Sequence, residues 1–276
     1  MDINAVATIA RQELVINIRN KWTAIFAVVF GGLALAISYF GMLTAGAIGF
    51  QSFARTSASL LNLTLYVVPL LSLMMGALSF TSEKSMGEML FAQPVTRAEI
   101  LLGKLAGLFA SILIATLVGF GLAGGVIALK AGAGGALRYH AFVALSLSLA
   151  LVFLTMSALV ASVCQRKMKA FGMMIFLWFF FALFYDLVVI GATFLMKERA
   201  ANTFIFVSLF GNPVDIARVA CLMILDGKEV FGAAGAALVK FTGGEGASFA
   251  LLIGGLVLWM IVPFLLARHA LNRQDI

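Results

Sequence analysis

The sequence predicts an all-α polytopic membrane protein with six transmembrane helices, and three observations lead there. The chain of 276 residues is 63% hydrophobic and only 11% charged, against about 25% charged in an average soluble domain. Several apolar runs exceed the ~18 residues that mark a membrane-spanning helix. The connections between those runs carry Lys and Arg unevenly, alternate ones being rich, as the positive-inside rule requires of a membrane protein.

Taking the elements in order, Ile3, Val6, Ala7, Ala10, Leu14 and Ile18 recur at three- and four-residue spacing, with Gln12, Glu13, Asn17 and Asn20 mostly elsewhere. This predicts a helix lying in the cytoplasmic interface, with Arg11 at the apolar edge and obliged to snorkel. The run from Trp22 to Leu43 is longer than the roughly 7–15-residue core of a cleavable export signal, so it reads as a retained first span. Spans follow at about 22–43, 58–80, 103–129, 138–164, 170–195 and 247–268, each long enough for a ~30 Å hydrocarbon layer. No repeat interrupts the series, and the whole of 1–276 reads as a single transmembrane domain.

Orientation follows from the cations. The N-terminal 21 residues, the 81–104 stretch, the 165–170 turn and the C-terminal tail hold eleven: Arg11, Arg19, Lys21, Lys84, Arg97, Lys104, Arg166, Lys167, Lys169, Arg268 and Arg273. The short connections on the other side hold three, Arg55, Lys130 and Arg138. Both termini are therefore expected in the cytoplasm, with an even number of spans. The long connection, the outer-face segment 200–246, contains an apolar run at 203–225, but Asn212, Pro213, Asp215 and Arg218 interrupt it. An ionisable residue at the bilayer centre costs roughly 2.5–3.5 kcal/mol. The segment is accordingly expected to be a re-entrant or surface-lying pair of helices, followed by the Gly-rich link 242–246.

The coupling segment 81–102 holds the most ordered polar signals. Ser85 and Glu88 form a capping-box pair, Met86, Met89 and Leu90 share a helix face, and Pro94 stops the helix. Thr96 and Glu99 form a second capping box that opens the third span. A two-turn helix is too short to be stable alone in water, so it is expected to dock on something.

This stretch resembles the cytoplasmic loop of ABC-2-type permeases at Glu83, Gly87, Glu88, Leu90, Pro94, Val95, Arg97, Ile100, Gly103 and Lys104, with Thr96 where serine is usual. The resemblance covers the whole chain. It implies the ABC-2 (type V exporter-like) fold, and a coupling helix seated on a separate ATPase. The coupling residues would be Glu83, Ser85, Gly87, Glu88, Leu90, Pro94, Val95 and Arg97. It also implies a homodimer with two cytoplasmic ATPase subunits in a bacterial inner membrane, with ATP and Mg on the partner and no cofactor bound by this chain. The wording from Phe210 to Arg218 is similar to permeases of the ABC systems that mature nitrous oxide reductase. That similarity implies a periplasmic β-helical partner at Asn212, Pro213, Asp215 and Arg218. It also implies a role in supplying sulfur or assembling the copper–sulfur site.

Other readings have less behind them. A net charge of +7 invites nucleic acid, but the cations are dispersed among connections rather than gathered on one face. Cys164 and Cys221 form no CxxC pair. Gly119, Gly121 and Gly124 match GxGxxG but lie inside a span without a preceding strand, so close helix packing is expected instead. The pairs Met74–Met75 and Met173–Met174 splay apart on a helix, and no metal site is expected. No GxxxxGK[ST] occurs, so a nucleotide site would have to belong to a partner. Asp186, about sixteen residues into the fifth span, could line a pathway, or be hydrated or paired with Lys197 or Arg199. The alternative functions are export of another small molecule or lipid by an ABC-2 exporter, and ion-coupled secondary transport. The latter would need an ionic site at the midplane.

Overall fold

The structure is a computed structural model and describes residues 2–20, 24, 28–37, 51–81, 95–131, 136–164, 166–225 and 232–273. Among these, every regular element is helical. Helix α1 spans Ile3–Ile18, its start capped by the Asp2 carboxylate, which accepts from the Asn4 N–H. Helix α2, Val28–Ile37, and Ala24 are the described part of the predicted first span; the rest of 22–43 lies outside the described residues.

Four continuous spans follow the apolar lengths: α3 (Gln51–Thr81), α4 (Arg97–Ala131), α5 (Ala136–Val163) and, last in the chain, α11 (Glu245–Asn272). The predicted fifth span is α6 (Lys167–Phe179), a π-turn (Phe180–Phe184) and α7 (Tyr185–Phe194) in one run. Helices α3, α4 and α11 outrun their predicted spans by several residues, whereas Ala136–Val163 and the Lys167–Phe194 run begin two or three residues early and end one residue short. Helix α4 begins six residues early, where Thr96 caps it.

Helix α5 is the centre of the bundle. It packs along α3, α4 and α11, and 72% of its apolar stretch is buried. The α6–α7 span and α11 are each only 17% buried and lie at the periphery. Two glycines of the GxGxxG stretch meet neighbours as close packing requires, Gly119 facing Phe30 and Gly124 facing Tyr139.

Between α7 and α11 lie α8 (Glu198–Leu209), α9 (Pro213–Ile224) and α10 (Gly232–Thr242). The first two meet at 95°. Helix α8 begins where α7 ends and descends beside it, so that the Tyr185 hydroxyl donates to the Ser208 carbonyl at 2.6 Å. At the elbow, Asn212 reaches the Phe181 carbonyl at 2.9 Å, the midpoint of the 167–194 span. Helix α9 then turns off nearly at a right angle, and its Arg218 reaches Asp186. The buried elbow thus reaches mid-span, as a re-entrant pair would and helices lying flat on the surface would not. The elbow is buried against α11, whose Trp259 indole N–H donates to the Phe210 carbonyl at 2.9 Å. Helix α10 was not expected from its Gly- and Ala-rich sequence; Phe241 stacks on Phe206 of α8 with ring centroids 4.5 Å apart.

The packed face of α1 differs from its apolar spacing. Glu13 and Asn17 are its buried residues, whereas Ile3 and Ile18 are 75% and 50% exposed. The reason lies in α4. A Cβ on Gly103 would stand 2.7 Å from the Ile9 Cβ, and one on Gly107 2.5 Å from the Ala10 carbonyl oxygen. The two glycines let the helix backbones approach closely, and Lys104 between them supplies a cation for Glu13. Gly107→Val should consequently push α1 away, at a cost of about 1–3 kcal/mol. Hydrogen exchange of the α1 amides checks this, with faster exchange expected there and little change in α5.

Candidate functional site

Two polar constellations stand out, one at the α1 end of the bundle and one inside its opposite half. The first gathers where α1, the end of α3, the start of α4 and the end of α11 meet. Thr96 Oγ1 accepts from the Glu99 N–H at 3.3 Å, and Glu99 Oε2 accepts from the Thr96 N–H at 2.8 Å. This is the reciprocal capping box, satisfying two donors that a helix start leaves free. The other Glu99 oxygen accepts from the Asp2 N–H at 2.6 Å, tying the start of α1 to the start of α4.

One turn further, Lys104 Nζ lies 3.9 Å from a Glu13 carboxylate oxygen, with both side chains more than 90% buried. The ammonium also donates to the carbonyl and hydroxyl of Ser79 at 3.2 and 3.4 Å, and sits over the Phe80 ring. The remaining Glu13 oxygen accepts from the Asn17 amide at 2.7 Å. Arg97 donates from its guanidinium to the Leu271 carbonyl near the end of α11. Four helices are thus joined at the point where the chain arrives from segment 82–94.

Of the expected coupling residues, the structure places Val95, half-buried just before the cap, and Arg97. Glu83, Ser85, Gly87, Glu88, Leu90 and Pro94 lie outside the described residues. Sequence reading gave Glu13 no role and took Lys104 as a motif position and an orienting cation, not as its partner. The one available signal was a lone carboxylate beside the apolar arc of α1.

The second constellation is built by the re-entrant pair. Asn212 is fully buried and engages both its amide donor and its acceptor. Its Oδ1 accepts from the Val214 N–H at 3.0 Å, capping α9, and its Nδ2 donates at 2.9 Å both to the Phe181 carbonyl and to Asp215 Oδ2. Phe181 belongs to the π-turn, whose wider winding leaves carbonyls without regular helical partners. Pro213 occupies the first helical turn of α9, where its missing N–H is harmless. Gly211 gives the Tyr185 hydroxyl room, since a Cβ there would stand 2.1 Å from it.

Arg218 joins two carboxylates, its Nη1 lying 2.6 Å from Asp215 Oδ1 and 3.0 Å from Asp186 Oδ2. Asp186 is thus paired with Arg218, a partner that its sequence neighbours did not suggest. Asp186 sits eight residues, about 12 Å at ~1.5 Å per residue, from the end of α7 at Phe194. All five residues expected of the outer-face motif and the pathway, Asn212, Pro213, Asp215, Arg218 and Asp186, are brought into one cluster. Their polar atoms are engaged chiefly with one another.

Within each of the two adjacent methionine pairs the side chains point apart. Met75 and Met174 are buried, while Met74 and Met173 point outward at 38% and 46% exposure. Among the described residues, no three His, Cys, Asp or Glu side chains are grouped to hold an ion.

Residues 7–276 match the family described as ABC-2 family transporter protein. The chain is 32% identical over 277 residues to the protein called "Probable ABC transporter permease protein NosY" of Pseudomonas aeruginosa, spanning 98% of this chain and 99% of that one. It is 33% identical over 238 residues to the protein of the same name in Stutzerimonas stutzeri, spanning 84% of this chain and 85% of the other.

Proposed function

The chain belongs to the ABC-2 family of transporter proteins, and on that premise we propose that it is the membrane permease of an ATP-driven complex whose ATPase is a separate subunit. The observation that carries the reading is the four-helix junction at the start of α4. A push delivered to segment 82–94 meets the Thr96–Glu99 cap first. It passes to α1 through Glu13 and Lys104, to α3 through Ser79, and to α11 through Arg97. Helix α11 also holds the re-entrant elbow through Trp259. Displacement at one end of the bundle is therefore felt at the other through packed, hydrogen-bonded contacts.

In this reading the α1 end faces the cytoplasm, in keeping with its cations, and two copies of the permease act with two ATPase subunits. Similarity to the proteins called NosY supports a narrower role, movement of a sulfur species or assembly of the copper–sulfur site of nitrous oxide reductase on a periplasmic partner. The re-entrant cluster would then steady the outer face against that partner.

Gentle-detergent purification should bring down an ATPase in stoichiometric amount. Replacing Glu88 and Arg97 together, as Glu88→Ala and Arg97→Ala, should weaken ATPase binding or its stimulation at least about tenfold, equivalent to about 1.4 kcal/mol. Transport by proteoliposomes that contain this chain alone would refute the reading, as would full coupling in the double variant.

A further inference from the structure

Among the described residues, the α1 end of the bundle carries an unbalanced charge. Arg11, Arg19, Arg166, Lys167, Lys169, Arg268 and Arg273 are all exposed there, and none forms an ion pair with a described residue. The carboxylates of Glu13 and Glu99 at the same end are buried and bound internally, which leaves Asp2 as the exposed acid among the described residues. Each group of cations is set beside exposed apolar side chains. Arg11 and Arg19 flank Val15 and Ile18 on α1; Arg166, Lys167 and Lys169 surround Met168, which is 82% exposed; Arg268 follows Leu265 and Leu266. These groups stand on α1 and on the two least buried spans, so they lie on the perimeter of the bundle.

Cationic heads on apolar stems, ringed by exposed Leu, Ile, Val and Met, suit a surface with anions above and hydrocarbon below. We propose that this end of the bundle selectively holds anionic phospholipids, their phosphates at the three basic groups and their acyl chains against the adjoining apolar side chains. A free phosphate would satisfy the cations and leave the apolar residues uncovered, so the occupant is a lipid of the surrounding leaflet. The inference needs no ATPase and stands apart from the transport reading.

The test uses the full chain alone, in nanodiscs of equimolar phosphatidylglycerol and phosphatidylcholine, with retained lipids counted by native mass spectrometry. The wild type should retain phosphatidylglycerol preferentially. The triple variant Arg166→Gln, Lys167→Gln, Lys169→Gln should lose about fivefold in that preference for each cation removed. Arg268→Gln with Arg273→Gln should show a separate, smaller loss. Equal retention of the two lipids by the wild type overturns the proposal. So does an unaltered preference in both variants, or displacement of the lipid by millimolar glycerol phosphate.

Discussion

Replacing Lys104 with methionine is expected to loosen α1 from the bundle, raising its detached population by roughly two to three powers of ten. Methionine matches the lysine stem as far as Cε and keeps most of its packing, so the change chiefly removes the charged head. What remains is the Glu13 carboxylate, more than 90% buried, with the Asn17 amide as its partner. Breaking one side of a buried ion pair costs about 3–5 kcal/mol, because the survivor keeps its desolvation penalty and loses its counter-charge. At 1.4 kcal/mol per factor of ten, that reaches the stated range. Glu13→Gln alone should cost less, since the Lys104 ammonium retains the Ser79 carbonyl and hydroxyl and the Phe80 ring. Adding Glu13→Gln to Lys104→Met should restore most of the loss, because glutamine still accepts from Asn17 and leaves no buried charge. Amide exchange of α1 reads all three. A double variant no better protected than Lys104→Met would show that the ion pair is incidental.

That pair also marks where sequence reading stops. The spans were legible because apolar length is a local property, and the lengths of α3 to α6 and α11 needed no knowledge of partners. The Thr96–Glu99 box was legible for the same reason, its partners being three residues apart. The packed face of α1 was not. Its apolar residues share an arc, yet the surface it meets offers two glycines and a lysine, so Glu13 and Asn17 turn inward. Nothing in residues 3–18 encodes what stands opposite. The re-entrant pair was half legible: Asn212, Pro213, Asp215 and Arg218 ruled out an ordinary span, but whether it would re-enter or lie flat depended on contacts with Phe181 and Trp259. The true partner of Asp186 is 32 residues away, reached only because the chain folds back. The π-turn lies in a run of phenylalanines whose pattern fits an ordinary helix equally well.

Arg218→Ala is expected to unlock α9, and the chain's own cysteines can report it. Arg218 is shared by two carboxylates, so its loss leaves Asp186 and Asp215 facing each other without a cation. The side chains are 26%, 31% and 14% exposed for Arg218, Asp186 and Asp215, intermediate between the surface pairs worth about 0–1 kcal/mol and the buried ones worth about 3–5. A loss of about 2–3 kcal/mol follows. Cys221, one turn further along α9, is 2% exposed, and with Cys164→Ser it becomes the chain's single thiol. Its labelling by a maleimide under native conditions then measures release of α9, and should quicken about 30- to 150-fold in Arg218→Ala. Asp186→Asn should change it far less, since the Arg218–Asp215 pair that remains is neutral overall and still fastened to Asn212. Arg218→Lys should fall between, the charge being kept while the rigid fork is lost. Equal quickening by Asp186→Asn and Arg218→Ala would mean that the cluster is held by the count of its contacts. The ordering expected here, with arginine far ahead of the single aspartate, follows only if the shared cation is what keeps the re-entrant pair on α7.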